Sequence, residues 1–205
     1  MITDIFTKGI FTVLWSFYKN AVESRLKEIV LSQEILLAVV IGGVFSFAGS
    51  SYFPESAKIV DVSLGYLAYA AIALGFCVGG VTIALTLPDR DFVVMLATLT
   101  IPNKKGDALS GLFFVFCWTA IVHWLSVILI LAVLVTSGHA DGNLFATRTL
   151  HGRIILGTCI TLCLYALMQF LITVLTLWQV GSVYIRNLQK GAASKQNSSV
   201  VSPNH

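Results

Sequence analysis

Charged side chains are scarce in this chain. Asp, Glu, Lys and Arg make up 11% of its 205 residues, whereas hydrophobic residues make up 57%. A soluble domain carries roughly 25% charged residues, so this composition excludes an ordinary soluble domain and favours a membrane protein. The net charge of +3 is small, and the basic residues form no long run. We therefore expect no direct binding of nucleic acid.

Motifs that carry chemistry are also missing. The sequence contains no H-E-x-x-H zinc motif, no nucleophile elbow and no phosphate-binding loop. We therefore expect a protein that is not an enzyme, with no catalytic residues, no cofactor and no metal site. Four cysteines all lie in apolar runs, where we expect small buried hydrophobic side chains instead of disulfides; they are Cys77, Cys117, Cys159 and Cys163.

Long apolar runs are what the chain has in abundance. Because about 20 apolar residues in a helix cross the hydrocarbon core of a bilayer, these runs predict transmembrane helices. None of the runs contains an Asp, Glu, Lys or Arg residue, which argues against a proton-driven transporter. The four predicted spans are Ile35–Phe53, Leu64–Leu87, Ser110–Thr136 and Ile154–Val180.

Two further segments are predicted to lie on the membrane surface. Residues 2–31 alternate polar and apolar side chains every three to four positions, which predicts an amphipathic interfacial helix. Residues 89–101 lie between two prolines and are too short to span, which predicts an interfacial helix between the second and third spans. The sequence therefore predicts an all-α integral membrane protein with one membrane domain, residues 1–186, and a flexible tail, residues 187–205.

The distribution of Lys and Arg predicts the orientation. With four spans, ten of these thirteen residues fall on the side that carries both termini. The positive-inside rule then places both termini in the cytoplasm of a multi-pass inner-membrane protein. The cytoplasmic residues available to a partner protein are Arg25, Lys27, Arg90, Lys104 and Lys105.

Small residues recur every four positions in the first two spans. Gly42 and Ser46 lie on one face of the first span, and Ala71, Gly75 and Gly79 lie on one face of the second. Such faces let two helix backbones approach closely, so we expect helix packing there. The two faces either pack against each other or form an interface between subunits of a homo-oligomer.

Two polar residues lie near the middle of predicted spans. His123 is central in the third span, and Gln169 is near the middle of the fourth. A charged group at that depth costs about 2.5–3.5 kcal/mol, so His123 is expected to be neutral and hydrogen-bonded. The pair forms either a polar clasp between two helices or a polar ring that lines an oligomeric pore.

One segment supports a resemblance to a known group. The run G-G-V-T-I-A-L-T-L-P at 79–88 is followed by charged residues and then by Phe92-x-x-x-Leu96. Over residues 64–136 the chain resembles small four-span membrane proteins of bacterial anti-phage defence systems, such as the membrane subunits of Kiwa systems. The resemblance implies an oligomeric inner-membrane assembly that senses membrane disturbance or is gated by a cytosolic partner.

Two functions remain open at this point. The first is a non-enzymatic scaffold or sensor of a defence or stress-response complex, oligomeric in the lipid bilayer and coupled to a cytosolic partner. The alternative is a self-sufficient oligomeric ion channel or membrane-depolarising effector.

Overall fold

Five α-helices form the described part of the chain. The computed structural model describes residues 12, 15, 18–25, 29, 32–52, 58–86, 90–98, 107–136 and 150–200. The helices are α1 (Gln33–Tyr52), α2 (Ile59–Thr86), α3 (Arg90–Thr98), α4 (Ala108–Thr136) and α5 (Leu150–Val200).

Three of these helices are long and apolar enough to cross a membrane. Their apolar segments are Ile59–Ile83 in α2, Ala108–Val135 in α4 and Leu150–Gln189 in α5. They overlap the second and third predicted spans and contain the fourth. The first predicted span overlaps α1. Its apolar stretch, Gln33–Ala48, is shorter than the other three.

Polar side chains cap the first turns of two of the helices. The Ile35 amide donates to Ser32 Oγ at 3.4 Å, and the Ser110 amide donates to Asp107 Oδ1 at 2.9 Å. Each acceptor is three residues before its donor, which is the N-cap arrangement that satisfies a free amide of the first turn. The starts of α1 and α4 are therefore set by local sequence.

Helices α4 and α5 form the centre of the bundle. α1 packs along α5, α2 packs along α4, and α4 packs on α5; α2 and α3 make smaller contacts with α5 and α4 respectively. One apolar cluster joins α1, α4 and α5 through Ala38, Val122 and Ala166. A second cluster joins α2 to α4 through Cys77 and Phe116.

The last helix extends well past the length of a membrane span. At about 1.5 Å per residue, its 51 residues reach roughly 76 Å, more than twice the thickness of a hydrocarbon core. The predicted tail is helical from residue 187 through Val200, and its flexibility stays a prediction. No proline interrupts residues 150–200, so the helix has no forced end at the membrane surface. Residues 201–205 lie outside the described part.

The amino-terminal segment is described only in part. The sequence predicts one amphipathic helix over residues 2–31, most of which lie outside the described residues. Where the segment is described, a π-helical turn, Tyr18–Val22, is followed by a 3₁₀ turn, Glu23–Arg25. Val22 is buried, and the Arg25 guanidinium lies 4.6 Å from the centre of the Phe114 ring on α4. These two side chains tie the segment to the bundle.

Candidate functional site

Polar side chains form a continuous layer between α2, α4 and α5. The layer is continuous because each member is within hydrogen-bonding distance of another member. We call this set the polar layer; its members are Tyr66 and Tyr69 of α2, Thr119, His123 and Ser126 of α4, and, on α5, Thr173 with the main-chain carbonyl of Gln169.

His123 lies at the centre of the polar layer. Its side chain is 0% exposed, and its Nδ1 atom is 2.8 Å from the Thr119 carbonyl oxygen. A carbonyl only accepts, so Nδ1 carries the hydrogen. In the neutral ring Nε2 is then an acceptor, and the Tyr69 hydroxyl donates to it at 3.2 Å. Both ring nitrogens are satisfied without a charge, which is the state favoured for a fully buried side chain.

A second bond from α2 reaches the same turn of α4. The Ser126 hydroxyl donates to the His123 carbonyl at 2.7 Å. That bond uses the only hydrogen of the serine hydroxyl, so the Tyr66 hydroxyl, 2.5 Å away, is the donor to Ser126 Oγ. Two tyrosines three residues apart on α2 therefore both donate to α4.

Two threonines connect the layer to α5. Thr119 Oγ1 lies 2.7 Å from Thr173 Oγ1, and the Thr173 hydroxyl donates to the Gln169 carbonyl at 2.8 Å. The hydrogen of Thr173 is used in that bond, so Thr119 is the donor between the two threonines. Thr119, Thr173 and His123 are all 0% exposed. The contact between α4 and α5 thus has a buried polar link as well as apolar packing.

Aromatic rings cover the polar layer on the side of α5. The Phe170 ring meets Tyr69 edge-on at 5.9 Å between centroids, and it lies 6.3 Å from the His123 ring. Phe76 of α2 meets the same phenylalanine at 5.3 Å. Within the described residues, every buried side-chain nitrogen and oxygen has a hydrogen-bond partner. The hydrogen bonds of the polar layer are therefore complete, and they hold three helices in register.

The structure brings His123 and Gln169 into one layer through an intermediate. His123 bonds the carbonyl of Thr119, and the hydroxyl of Thr119 lies 3.4 Å from the Gln169 carbonyl. The Gln169 side chain lines a separate cavity of about 140 Å³, together with Arg25, Trp118 and Tyr165. The expected clasp between α4 and α5 has a counterpart here, in which the threonines provide the bonds between the helices.

Sequence reasoning missed most of the polar layer. It selected His123 and Gln169 and did not select Tyr69, Thr119 or Thr173. A usable signal was present, because Thr119, His123 and Ser126 follow one another by four and three residues inside an apolar helix. That spacing places all three on one face of α4.

The small-residue face of α1 lies in a helix contact. Gly42 is buried, and a Cβ atom placed on it would lie 3.0 Å from the backbone nitrogen of Thr161 on α5. Ser46 is 8% exposed, and its hydroxyl donates to the Arg153 carbonyl at 2.5 Å. The principal partner of this face is therefore α5, and not the small-residue face of α2 as one expectation had it.

The small-residue face of α2 has no such neighbour among the described residues. Ala71 and Gly75 are exposed, and Cβ atoms built on Gly75 and Gly79 meet nothing within 4 Å. The face that packs on α4 is turned by one residue, since Cys77 and Gly80 are buried and Gly80 lies against the Phe116 ring. A role for the Ala71–Gly79 face between subunits stays a prediction.

The residues proposed to face a partner divide into two groups. Arg25 is partly buried against α4, so it already has a place in the bundle. Arg90 is the first residue of α3. Lys27, Lys104 and Lys105 lie outside the described residues.

Metal-ligating residues do not cluster in the part of the chain that is described. Cys77, Cys117, Cys159 and Cys163 are free thiols there. Comparison with known proteins adds nothing to the geometry. No protein-family model matches this chain, and neither a curated protein nor a solved structure matches it.

Proposed function

We propose that this protein is a four-span membrane protein that serves as a non-enzymatic scaffold or sensor subunit. In this proposal it lies in the bacterial inner membrane with both termini in the cytoplasm. It forms a homo-oligomer and couples to a cytosolic partner in a defence or stress-response complex.

The packing of α1 supports a fourth span. α1 has 20 residues, which at about 1.5 Å per residue reach ~30 Å, the thickness of a hydrocarbon core. It runs antiparallel to α5, because Ala38 packs near Tyr165 and Ser46 bonds to Arg153. These contacts place α1 alongside a helix that is long and apolar enough to cross a membrane.

The junction between α3 and the Tyr184–Asn187 turn of α5 is the observation that carries the coupling role. Phe92 is 3% exposed and meets Tyr184 edge-on at 4.8 Å between ring centroids. One turn later, the Asn187 side-chain amide donates to Met95 Sδ at 3.2 Å. Through this junction a short amphipathic helix is attached to the same continuous helix that carries Gln169 and Thr173. A partner bound at α3 would therefore be mechanically connected to the polar layer.

The polar layer supports a scaffold or sensor over a channel. A pore-lining histidine has to reach an axis shared by several subunits, or a water-filled passage. His123 is fully buried within one chain, and both of its ring nitrogens are bonded inside that chain.

The proposal is tested by native pull-down of the full chain with a carboxy-terminal tag in mild detergent, followed by the mass of the complex. The variant Phe92→Ala breaks the junction between α3 and α5. Val94→Ala is its matched control, because Val94 is on the same helix and 52% exposed. We expect a stoichiometric cytosolic protein with the wild type and with Val94→Ala, and clearly less of it with Phe92→Ala.

Two results would contradict the proposal. A homo-oligomer with nothing else bound would favour the channel, and ion flux in liposomes would then be the next measurement. Release of the protein from membranes by alkaline carbonate would contradict its integral placement.

A further inference from the structure

A lateral groove runs between α1 and α5. It has a volume of about 530 Å³, and its walls are almost entirely apolar. Gly43 and Gly157 keep it open because neither has a side chain, while Phe47 and Ile154 flank it. Phe47 is 58% exposed and Ile154 is 54% exposed, so the groove opens outward from the bundle toward the lipid.

The groove has the length of one leaflet. On α1 its lining extends from Ile35 to Phe47, and on α5 from Arg153 to Tyr165. Each stretch advances by about 18 Å at ~1.5 Å per residue. One leaflet of hydrocarbon is about 15 Å thick, half of a ~30 Å core. An extended acyl chain segment of that length therefore fits along the groove.

A cationic side chain stands at one end of the groove. Arg153 lies in the first turn of α5, which begins at Leu150, and it is partly buried. The main-chain carbonyl of Arg153 accepts the hydrogen bond from Ser46, so that bond does not involve the guanidinium. The described residues provide this guanidinium with no ion pair. Arg153 directly precedes the uncharged run 154–185 of α5, and a long cationic side chain at such a point extends toward the lipid headgroups.

We propose that this groove binds an anionic phospholipid, with one acyl chain between α1 and α5 and the phosphate on Arg153. Charge complementarity selects this occupant, because a guanidinium forms paired hydrogen bonds with phosphate oxygens. The apolar walls and the length of one leaflet fit its acyl chain. The inference rests on the proposed four-span placement, since the groove faces lipid only if both helices cross the bilayer.

Native mass spectrometry of the delipidated full chain tests the charge. The probes are phosphatidylglycerol and phosphatidylcholine with identical acyl chains. We expect the wild type to prefer phosphatidylglycerol, and Arg153→Gln to lose that preference by roughly tenfold, the size of one charge-assisted contact. Arg153→Lys keeps the charge and should keep part of the preference. The matched control is Arg186→Gln, because Arg186 is exposed and lies at the other end of the uncharged run 154–185.

A second variant tests the groove. A Cβ atom on Gly43 meets nothing within 4 Å, so Gly43→Leu places its side chain in open space and is expected to fold. It should reduce the binding of both lipids several-fold. Gly65→Leu is the control, since Gly65 also has open space ahead of it and does not line the groove.

Three outcomes would overturn the proposal. They are equal binding of the two lipids by the wild type, an unchanged preference in Arg153→Gln, and unchanged binding in Gly43→Leu. Carbonate extraction separates these failures from a failure of membrane placement. A chain that stays in the membrane but shows no lipid preference refutes the lipid site alone.

Discussion

The small-residue faces of α1 and α2 share one sequence pattern and have different surroundings. On α1, Gly42 is buried so closely against Thr161 that no side chain fits between the helices. On α2, Gly75 and Gly79 have open space ahead of them. The spacing of small residues shows where a helix backbone can be approached. It does not show whether another helix is there.

The difference follows from what lies opposite each face. α5 presents Gly157 and Thr161 to α1, so the two backbones meet through small residues on both sides. α4 presents the large Phe116 ring to α2, and only Gly80 leaves enough room for it. The position of the Phe116 ring on α4 thus determines which face of α2 packs there.

The largest effect is expected from Gly42→Leu. The added side chain would overlap the Thr161 hydroxyl and approach the Thr161 backbone nitrogen, which cannot move without shifting α5. We expect a loss of about 3 kcal/mol in the free energy of unfolding, the upper part of the range for overpacking. The measurement is denaturant unfolding in mixed micelles. Gly43→Leu, one residue away with open space, is the control, and equal stability of the two variants would refute the contact.

Gly80→Leu is expected to have the next largest effect. Its added side chain would overlap the Phe116 ring, which is 0% exposed and has little room to turn. Because a ring yields more easily than a backbone, we expect a loss of about 2 kcal/mol. Gly79→Leu should leave stability within about 0.5 kcal/mol of the wild type. Thermal unfolding of both variants tests which face of α2 packs on α4. If Gly79→Leu is the more destabilised variant, the packed face contains Gly79 and not Gly80.

A double-mutant cycle on His123 and Tyr69 sharpens the comparison, because the α2–α4 contact adds polar bonds to its packing. His123→Leu leaves the Tyr69 hydroxyl without its acceptor, and we expect it to cost about 1.5 kcal/mol. Tyr69→Phe removes the hydroxyl itself. The coupling between the two changes should be about 0.6 kcal/mol, the average for polar contacts in membrane helices. Additive changes in unfolding free energy would mean that the bond contributes nothing.

The smallest effect on the fold is expected from Gly75→Leu. A Cβ atom built on Gly75 meets nothing within 4 Å, so the Gly75→Leu monomer should be as stable as the wild type. If the Ala71–Gly79 face lies between subunits, the same change lowers the mass of the complex in light scattering. An unchanged mass would remove this face from the oligomer interface.

The bounds of α4 can be predicted from the sequence, whereas the hydrogen-bond partner of its central histidine cannot. Its apolar run predicts Ser110–Thr136, and the helix is Ala108–Thr136, because hydropathy and the Asp107 cap are both local properties. Its central histidine is equally visible. Its partner is not, because Tyr69 lies 54 residues earlier and meets His123 only when α2 packs on α4.

The sequence by itself determined the all-helical class, the apolar helices long enough to cross a membrane and the presence of a polar residue at mid-depth. These follow from composition and period, which are properties of each segment alone. Only the tertiary structure decided that α5 is the partner of α1, that Gly80 and not Gly79 packs on α4, and that Thr119 and Thr173 bond α4 to α5. Every face of a membrane helix is apolar, so hydrophobicity cannot select the packed face. The shapes and hydrogen bonds of the neighbouring helix make that choice.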